Sequence, residues 1–263
     1  MRHRITRILL PLALALVCTG VQAGPRIVFI GDSVTDGAWG RSGGDAVPSS
    51  KRNQTDLNHI YGHSYMMLCA AHLQSQYPND GIECFNRGIS GDGLEHLEAR
   101  WDEDVIDLHP DVLSILIGTN DVHRYLEGNQ AEPFDLPGWE RRYRALLDRA
   151  LEANPQTDLM LGTPFVAKVG RVGNSADFPV RDSLVSLLSE AVCRIADDYG
   201  ATLLRYDQLF AGLEGQTSHW IWDGIHPTPA GHKRMADLWI SRCEGNCLLT
   251  PRNERRVTAP VSL

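Results

Sequence analysis

Arg26-Ile27-Val28-Phe29-Ile30-Gly31-Asp32-Ser33 is the stretch whose reading decides the fold. Four consecutive apolar residues, three of them β-branched, closed by a glycine, form a run too short for a helix; it reads as a strand buried on both faces. Runs of the same kind recur at 82–85, 112–117, 159–161 and 202–205. Longer amphipathic segments at 60–76, 94–105, 139–153, 184–199 and 229–240 alternate with them. Five strand-then-helix units predict an α/β protein, a three-layer α/β/α sandwich around a five-stranded parallel sheet. Ligands of such sheets bind beyond the carboxyl ends of the strands.

Three motifs fall at that edge: Gly31-Asp32-Ser33, Gly88-Ile89-Ser90-Gly91 and Gly118-Thr119-Asn120-Asp121. Ser33 reads either as a helix cap or as a nucleophile whose Oγ is exposed by a sharp turn and whose N–H faces the same pocket. Gly91 reads as a turn glycine or as a bare backbone N–H that a substrate oxygen can approach closely. Asn120 can aim its amide at that same oxygen, and Asp121 is expected to cap the helix that follows. A fourth motif, Asp223-Gly224-Ile225-His226, supplies a base and, three residues before it, the acid that would orient it. Thr228 and Pro229 read as the cap and first residue of the last helix, and His232 as a residue on that helix's surface. Taken together the motifs offer a nucleophile (Ser33), a base (His226), an orienting acid (Asp223) and oxyanion donors at Ser33, Gly91 and Asn120.

The first 23 residues read as an address label. Arg2, Arg4 and Arg7 make a basic start, an apolar run follows, and Val21-Gln22-Ala23 is a small-residue cleavage site. The apolar run is shorter than the ~20 residues of a membrane span. The expected organisation is therefore a signal peptide at 1–23, one domain at 24–249 and a poorly ordered tail at 250–263, in a chain that is secreted or periplasmic and has no membrane span. Cys18 leaves lipid attachment as the lesser alternative, with the bulk of Val17 against it. Losing the leader removes three arginines and no acids from a net charge of −8, and an acidic chain of this kind disfavours nucleic acid as a partner.

Five cysteines then remain, an odd number. Cys69 with Cys84 and Cys243 with Cys247 are plausible pairings that sequence alone leaves open. No cysteine has zinc-site spacing, and His59 and His63 lack a third ligand, so no metal site is expected. Segment 41–58, polar and glycine-rich, reads as a lid, an oligomer contact that would make the chain a homo-oligomer, or a floppy loop. Trp39, Trp220 and Trp222 stand near the motifs as core residues or as platforms for sugar faces.

Gly31-Asp32-Ser33 with Thr35, Gly91, Asn120 and Asp223-x-x-His226 resemble the four blocks of the SGNH (GDSL-type) hydrolases over about 26–240. The fifth position of the nucleophile motif, Thr35, sets it apart from the Gly-x-Ser-x-Gly of α/β-hydrolases. The resemblance implies the flavodoxin-like SGNH hydrolase fold and ester hydrolysis without a metal or other cofactor. The runs 86–91, 99–105 and 117–122, and Trp222 before Asp223, are similar to the bacterial acetylxylan esterase branch of carbohydrate acetylesterases. That similarity implies an acetylated oligo- or polysaccharide as substrate, with Asp32, Trp222 and His123 as candidate contacts. Segment 41–58 and His123 depart from the branch.

Overall fold

The computed structural model describes residues 24–250 apart from 129 and 214. The expected leader at 1–23 and all but the first residue of the expected tail at 250–263 lie outside the described residues. In chain order the first half contains β1 (Arg26–Gly31), α1 (Ser33–Asp36), α2 (Tyr65–Gln76), β2 (Glu83–Gly88), α3 (Leu94–Ala99), β3 (Val112–Leu116), α4 (Thr119–Glu127) and α5 (Leu136–Ala153). The second half contains β4 (Asp158–Gly162), α6 (Gly170–Gly173), α7 (Phe178–Asp198), β5 (Thr202–Leu204), α8 (Tyr206–Leu209), α9 (Thr217–Trp220) and α10 (Pro229–Gly245). The strands form one parallel sheet in the order β2-β1-β3-β4-β5. This is the expected sheet.

Side-chain alternation divides the core into two layers. Ile27 and Phe29 of β1 face Tyr65, Met66 and Leu73 of α2 and Met235 and Trp239 of α10. Val28 and Ile30 face the opposite way, with Leu94 and Leu97 of α3, Trp139 and Leu147 of α5 and Leu188 and Val192 of α7. Ser114 is a buried polar residue in the middle of β3, and its Oγ accepts a bond of 3.0 Å from the Trp239 indole N–H. No helix among the described residues is long and apolar enough to cross a membrane.

Several elements differ from expectation for identifiable reasons. The second strand runs on through Asn86, Arg87 and Gly88, where the sequence turns polar, because each of those residues still pairs with β1. Asn86 is buried without cost: its amide donates to the carbonyls of Thr35, Asp36 and Tyr61, all at 3.0 Å. Helix α2 starts at Tyr65 rather than at 60, because Ser64 caps it through Met66 N–H and Gly62 sits in the left-handed region against the Gly37 carbonyl. The expected helix at 94–105 breaks after Ala99 and resumes as a π turn at Asp102–Ile106. Helix α7 begins at Phe178, ahead of the expected 184, because Pro179 fits the first turn of a helix.

Neither cysteine pairing is formed. Cys69 and Cys84 are buried thiols and Cys247 is an exposed one; burial pushes both buried thiols above their ordinary value. Trp39 is core, 1% exposed, with its indole N–H bonded to the Gly88 carbonyl at 2.8 Å, so it offers no platform for a sugar. Segment 41–58 is not a floppy loop. It carries the 3-10 turn Ser49–Lys51, follows the turn Trp39–Arg41 and buries Arg52.

His232 is not a surface residue. It is half-buried, and its Nδ1 accepts the Tyr65 N–H at 3.1 Å, tying α10 to the start of α2. That bond needs a neutral ring. Burial, with His63 and His226 nearby, lowers the imidazole from 6.5 to about 4. Between those two values the unfolded chain binds a proton that the folded chain refuses, so this contribution to stability is complete above 6.5 and is lost as pH falls towards 4. His232→Gln is expected to flatten the dependence of the urea midpoint on pH across that window. Asn86→Ala takes the donor from the Asp36 and Tyr61 carbonyls, while that of Thr35 keeps the Ser64 hydroxyl, and is expected to cost about 3 kcal/mol in urea unfolding, with the slope of the transition unchanged.

Candidate active site

The register of β1 builds the site. Gly31 lies opposite Gly88 on one side and Leu116 on the other, so Ser33, Gly91 and Asn120, each a few residues further on, arrive at one edge. The sheet order reverses between β1 and β3, which is where ligands of doubly wound sheets bind. Asp32 takes the cap position of α1, its side chain accepting the Val34 N–H at 3.0 Å. Ser33 is thereby left as the first helical residue, with its Oγ at the edge and its N–H among those that have no partner within the helix.

Ser33 Oγ stands 2.8 Å from His226 Nε2. On the far side of the ring, His226 Nδ1 stands 2.8 Å from Asp223 Oδ2. The other carboxylate oxygen accepts the backbone N–H groups of His226 at 2.8 Å and Ile225 at 2.9 Å. Burial by itself would raise the Asp223 carboxyl, but those two N–H groups and the ring outweigh it and hold the group below its ordinary value. An ionised Asp223 fixes the hydrogen on Nδ1, leaving Nε2 to accept the Ser33 hydroxyl hydrogen.

The loop that carries acid and base is braced from three directions. An antiparallel bridge between Ile221 and Pro227 closes it, and Trp222 N–H donates to the His226 carbonyl at 3.1 Å. The segment after β4 supports it through Ala167 N–H to Gly224 and Val172 N–H to Asp223, at 2.8 and 2.9 Å. Thr228 caps α10 through the Gly231 N–H, as expected, with Pro229 behind it.

Opposite this loop lies the segment 88–92. Gly91 has φ +84°, and a Cβ there would meet nothing within 4 Å; the glycine serves the backbone turn and leaves open space before it. Its carbonyl accepts from the Arg124 guanidinium. The next carbonyl, that of Asp92, accepts from the Asn120 amide at 3.0 Å, and that NH₂ group has a second hydrogen to give. Asp121 does not cap its own helix: its carboxylate accepts the Leu94 N–H at 3.0 Å and so caps α3. Burial raises Asp32 to about 7, against the pull of Val34 N–H and His226. Burial also raises Asp92 and Asp121, each opposed by cationic or N–H partners.

The remaining candidates scatter. Asp32 is 2% exposed and committed to its cap. Trp222 is 64% exposed beside the Asp223 loop. His123 lies on α4 between Arg181, 3.3 Å from Nδ1, and Glu127, 3.3 Å from Nε2. Sequence reasoning passed over Asp36 and Arg124, which contact the segment 88–92, Asp92 within it, and Arg52, which pairs with Asp36. Asp36 carried a usable signal, an acid one helical turn after Ser33. Arg52 carried none, being one cation in a polar run.

A hydroxyl bonded to an imidazole that is itself bonded to a carboxylate, on a sheet edge shared with the Gly91 loop and Asn120, can perform acyl transfer. The GDSL-like Lipase/Acylhydrolase family matches residues 29–234. An acetylxylan esterase of Geobacillus stearothermophilus is 32% identical over 84% of this chain and 94% of its own length. The crystal structure of that organism's acetylxylan esterase Axe2 aligns with a TM-score of 0.65 at 30% identity, over 84% of this chain and 95% of its own. A GDSL-like lipase structure from Parabacteroides merdae aligns with a TM-score of 0.71 at 26% identity, over 87% and 98%. Catalytic mutants of Axe2 have been solved in which a serine, an aspartate or a histidine three residues after that aspartate is replaced by alanine. The match to the family over most of the chain, the shared sheet and the relative's identity together place this protein in the GDSL-like lipase/acylhydrolase family, as a carboxylic ester hydrolase.

Proposed function

We propose that the protein is an exported serine esterase that removes O-acetyl groups from carbohydrate of the acetylated-xylan type. One observation carries the mechanism: the unbroken chain from Ser33 Oγ to His226 Nε2 and from His226 Nδ1 to Asp223, both at 2.8 Å. The catalytic positions of Axe2 are the same three residue types, with the same spacing between acid and base. The choice of substrate rests on the acetylxylan esterase relative and on Trp222, an exposed indole beside the loop of acid and base, of the kind that stacks on sugar faces.

In this reading Ser33 attacks the acetyl carbonyl while His226 takes its proton. Asp223 stabilises the imidazolium that forms, and the oxyanion is held by the N–H groups of Ser33 and Gly91 and the Asn120 amide. His226 returns the proton to the departing sugar alkoxide, then activates a water that releases acetate from Ser33. Residues 24–249 form the catalytic domain, and residues 1–23 are the leader that exports it and is removed.

Acetate release from acetylated xylan, measured beside short- and long-chain nitrophenyl esters, tests the proposal. Xylan and acetyl esters are expected to be hydrolysed and long-chain esters to be poor substrates; preference for long chains would move the assignment to lipid esters. Ser33→Ala is expected to lower kcat by about 10⁴-fold or more in a folded protein. Asn120→Ala is expected to lower it by about 10²–10³-fold, as for other lost oxyanion donors. Activity retained by a folded Ser33→Ala variant would overturn the mechanism.

A further inference from the structure

The Gly91 N–H belongs to the peptide unit between Ser90 and Gly91, and the structure holds the peptide units on either side of it. On one side the Gly91 carbonyl is held by Arg124. On the other, a single oxygen of Asp36, Oδ2, accepts both the Ser90 N–H at 2.8 Å and the Ser90 hydroxyl at 3.0 Å. Asp36 belongs to the same four-residue helix as Ser33. Its carboxylate therefore ties the turn that presents the Ser33 N–H to the loop that presents the Gly91 N–H.

A carboxylate with no exposed surface does not hold its position without a counter-charge. Arg52 provides it as a bidentate fork, Nη1 to Oδ1 at 2.5 Å and Nη2 to Oδ2 at 3.0 Å, with neither side chain exposed to solvent. The guanidinium is fixed in turn by the segment that delivers it. Nε donates to the Val47 carbonyl at 2.8 Å, and Nη1 donates to the Trp39 carbonyl at 3.2 Å and to Ser42 Oγ at 3.1 Å. The Trp39 ring lies under it, 4.8 Å from centroid to Cζ. The sequence departs from the acetylxylan esterase pattern in this same segment, and folded, the segment is a socket built around one cation.

We propose that Asp36 and Arg52 are positioning residues that set the spacing of the two backbone oxyanion donors, and that segment 41–58 serves the reaction as their brace. The proposal rests on the reading of Ser33 and Gly91 as those donors. Neither Asp36 nor Arg52 touches substrate. Loosening the pair leaves the ground-state contacts in place and lets the Gly91 N–H drift from where charge develops, a defect that appears in kcat rather than in KM.

The test is steady-state hydrolysis of nitrophenyl acetate by the full chain and by Asp36→Asn, Arg52→Met, Arg52→Lys, Ser90→Ala and Ser33→Ala, each first checked for folding by circular dichroism. Asp36→Asn and Arg52→Met are expected to lower kcat by about ten- to a hundredfold with KM within about threefold, below the loss for a donor removed outright. Arg52→Lys should recover part of that loss, and Ser90→Ala, which removes one of the two bonds to Asp36, should lose about three- to tenfold. The acid limb of the pH–rate profile should stay where it is, because the Ser33–His226 pair is not involved. Arg52→Met breaks a buried ion pair; where it does not fold, Asp36→Asn and Ser90→Ala decide. A kcat within twofold of wild type in both, with Ser33→Ala inactive, overturns this proposal alone, as does a loss confined to KM. An active, folded Ser33→Ala variant overturns the catalytic reading and this proposal with it.

Discussion

Parallel pairing of β1 with β2 on one side and β3 on the other is the constraint on which the rest of the molecule depends. A parallel ladder fixes not only which strands are neighbours but where each ends relative to the next. Because Gly31 is level with Gly88 and Leu116, three loops from distant parts of the sequence start at one line. A shift of one residue in either ladder would turn every side chain of that strand to the other layer of the core. The apolar alternation of Ile27 and Phe29 against Val28 and Ile30 that packs the two layers is thus also what keeps Ser33 opposite Gly91.

At that edge electrostatics take over from packing. Five aspartates, at positions 32, 36, 92, 121 and 223, gather around one helical turn and two loops, and each is more than nine-tenths buried or held by N–H donors. Their environments differ in kind. Asp223 is surrounded by N–H groups and stays low; Asp32 has a single N–H and is pushed up to about 7; Asp36 and Asp92 are matched with the guanidinium groups of Arg52 and Arg100. Asp223, held low by its N–H partners, and Asp32, pushed up by burial, stand next to opposite ends of the same Ser33–His226 pair, an asymmetry that favours negative charge on the base's side over the nucleophile's.

Much of this was legible in the sequence, and the division is physical. Strand identities and the positions of Ser33, Gly91, Asn120, Asp223 and His226 could be read because each depends on local chemistry: an apolar run, the glycine that ends it, a short loop. Where local chemistry conflicted with pairing, reading failed, as at Asn86 and Arg87, polar residues that continue β2 because the strand beside them continues. The fate of His232, Asp121 and Trp39 depends on which surface each meets, and neither helical phase nor residue type carries that. The link from Arg52 to Asp36 was invisible because charges sixteen positions apart in a polar segment have no periodicity to betray them. The leader and the tail, read from composition, lie outside the described residues.

The unbridged cysteines carry a consequence of a different kind. Cys69 and Cys84 are enclosed in the layer between the sheet and helices α2 and α10, where burial holds their thiols protonated and therefore poor partners in exchange. Among the described residues the tertiary structure is thus closed by packing and hydrogen bonds, with no covalent cross-link to install. Buried in that layer, the two thiols act as small apolar side chains, and an oxidant or thiol reagent reaches them only when the layer opens.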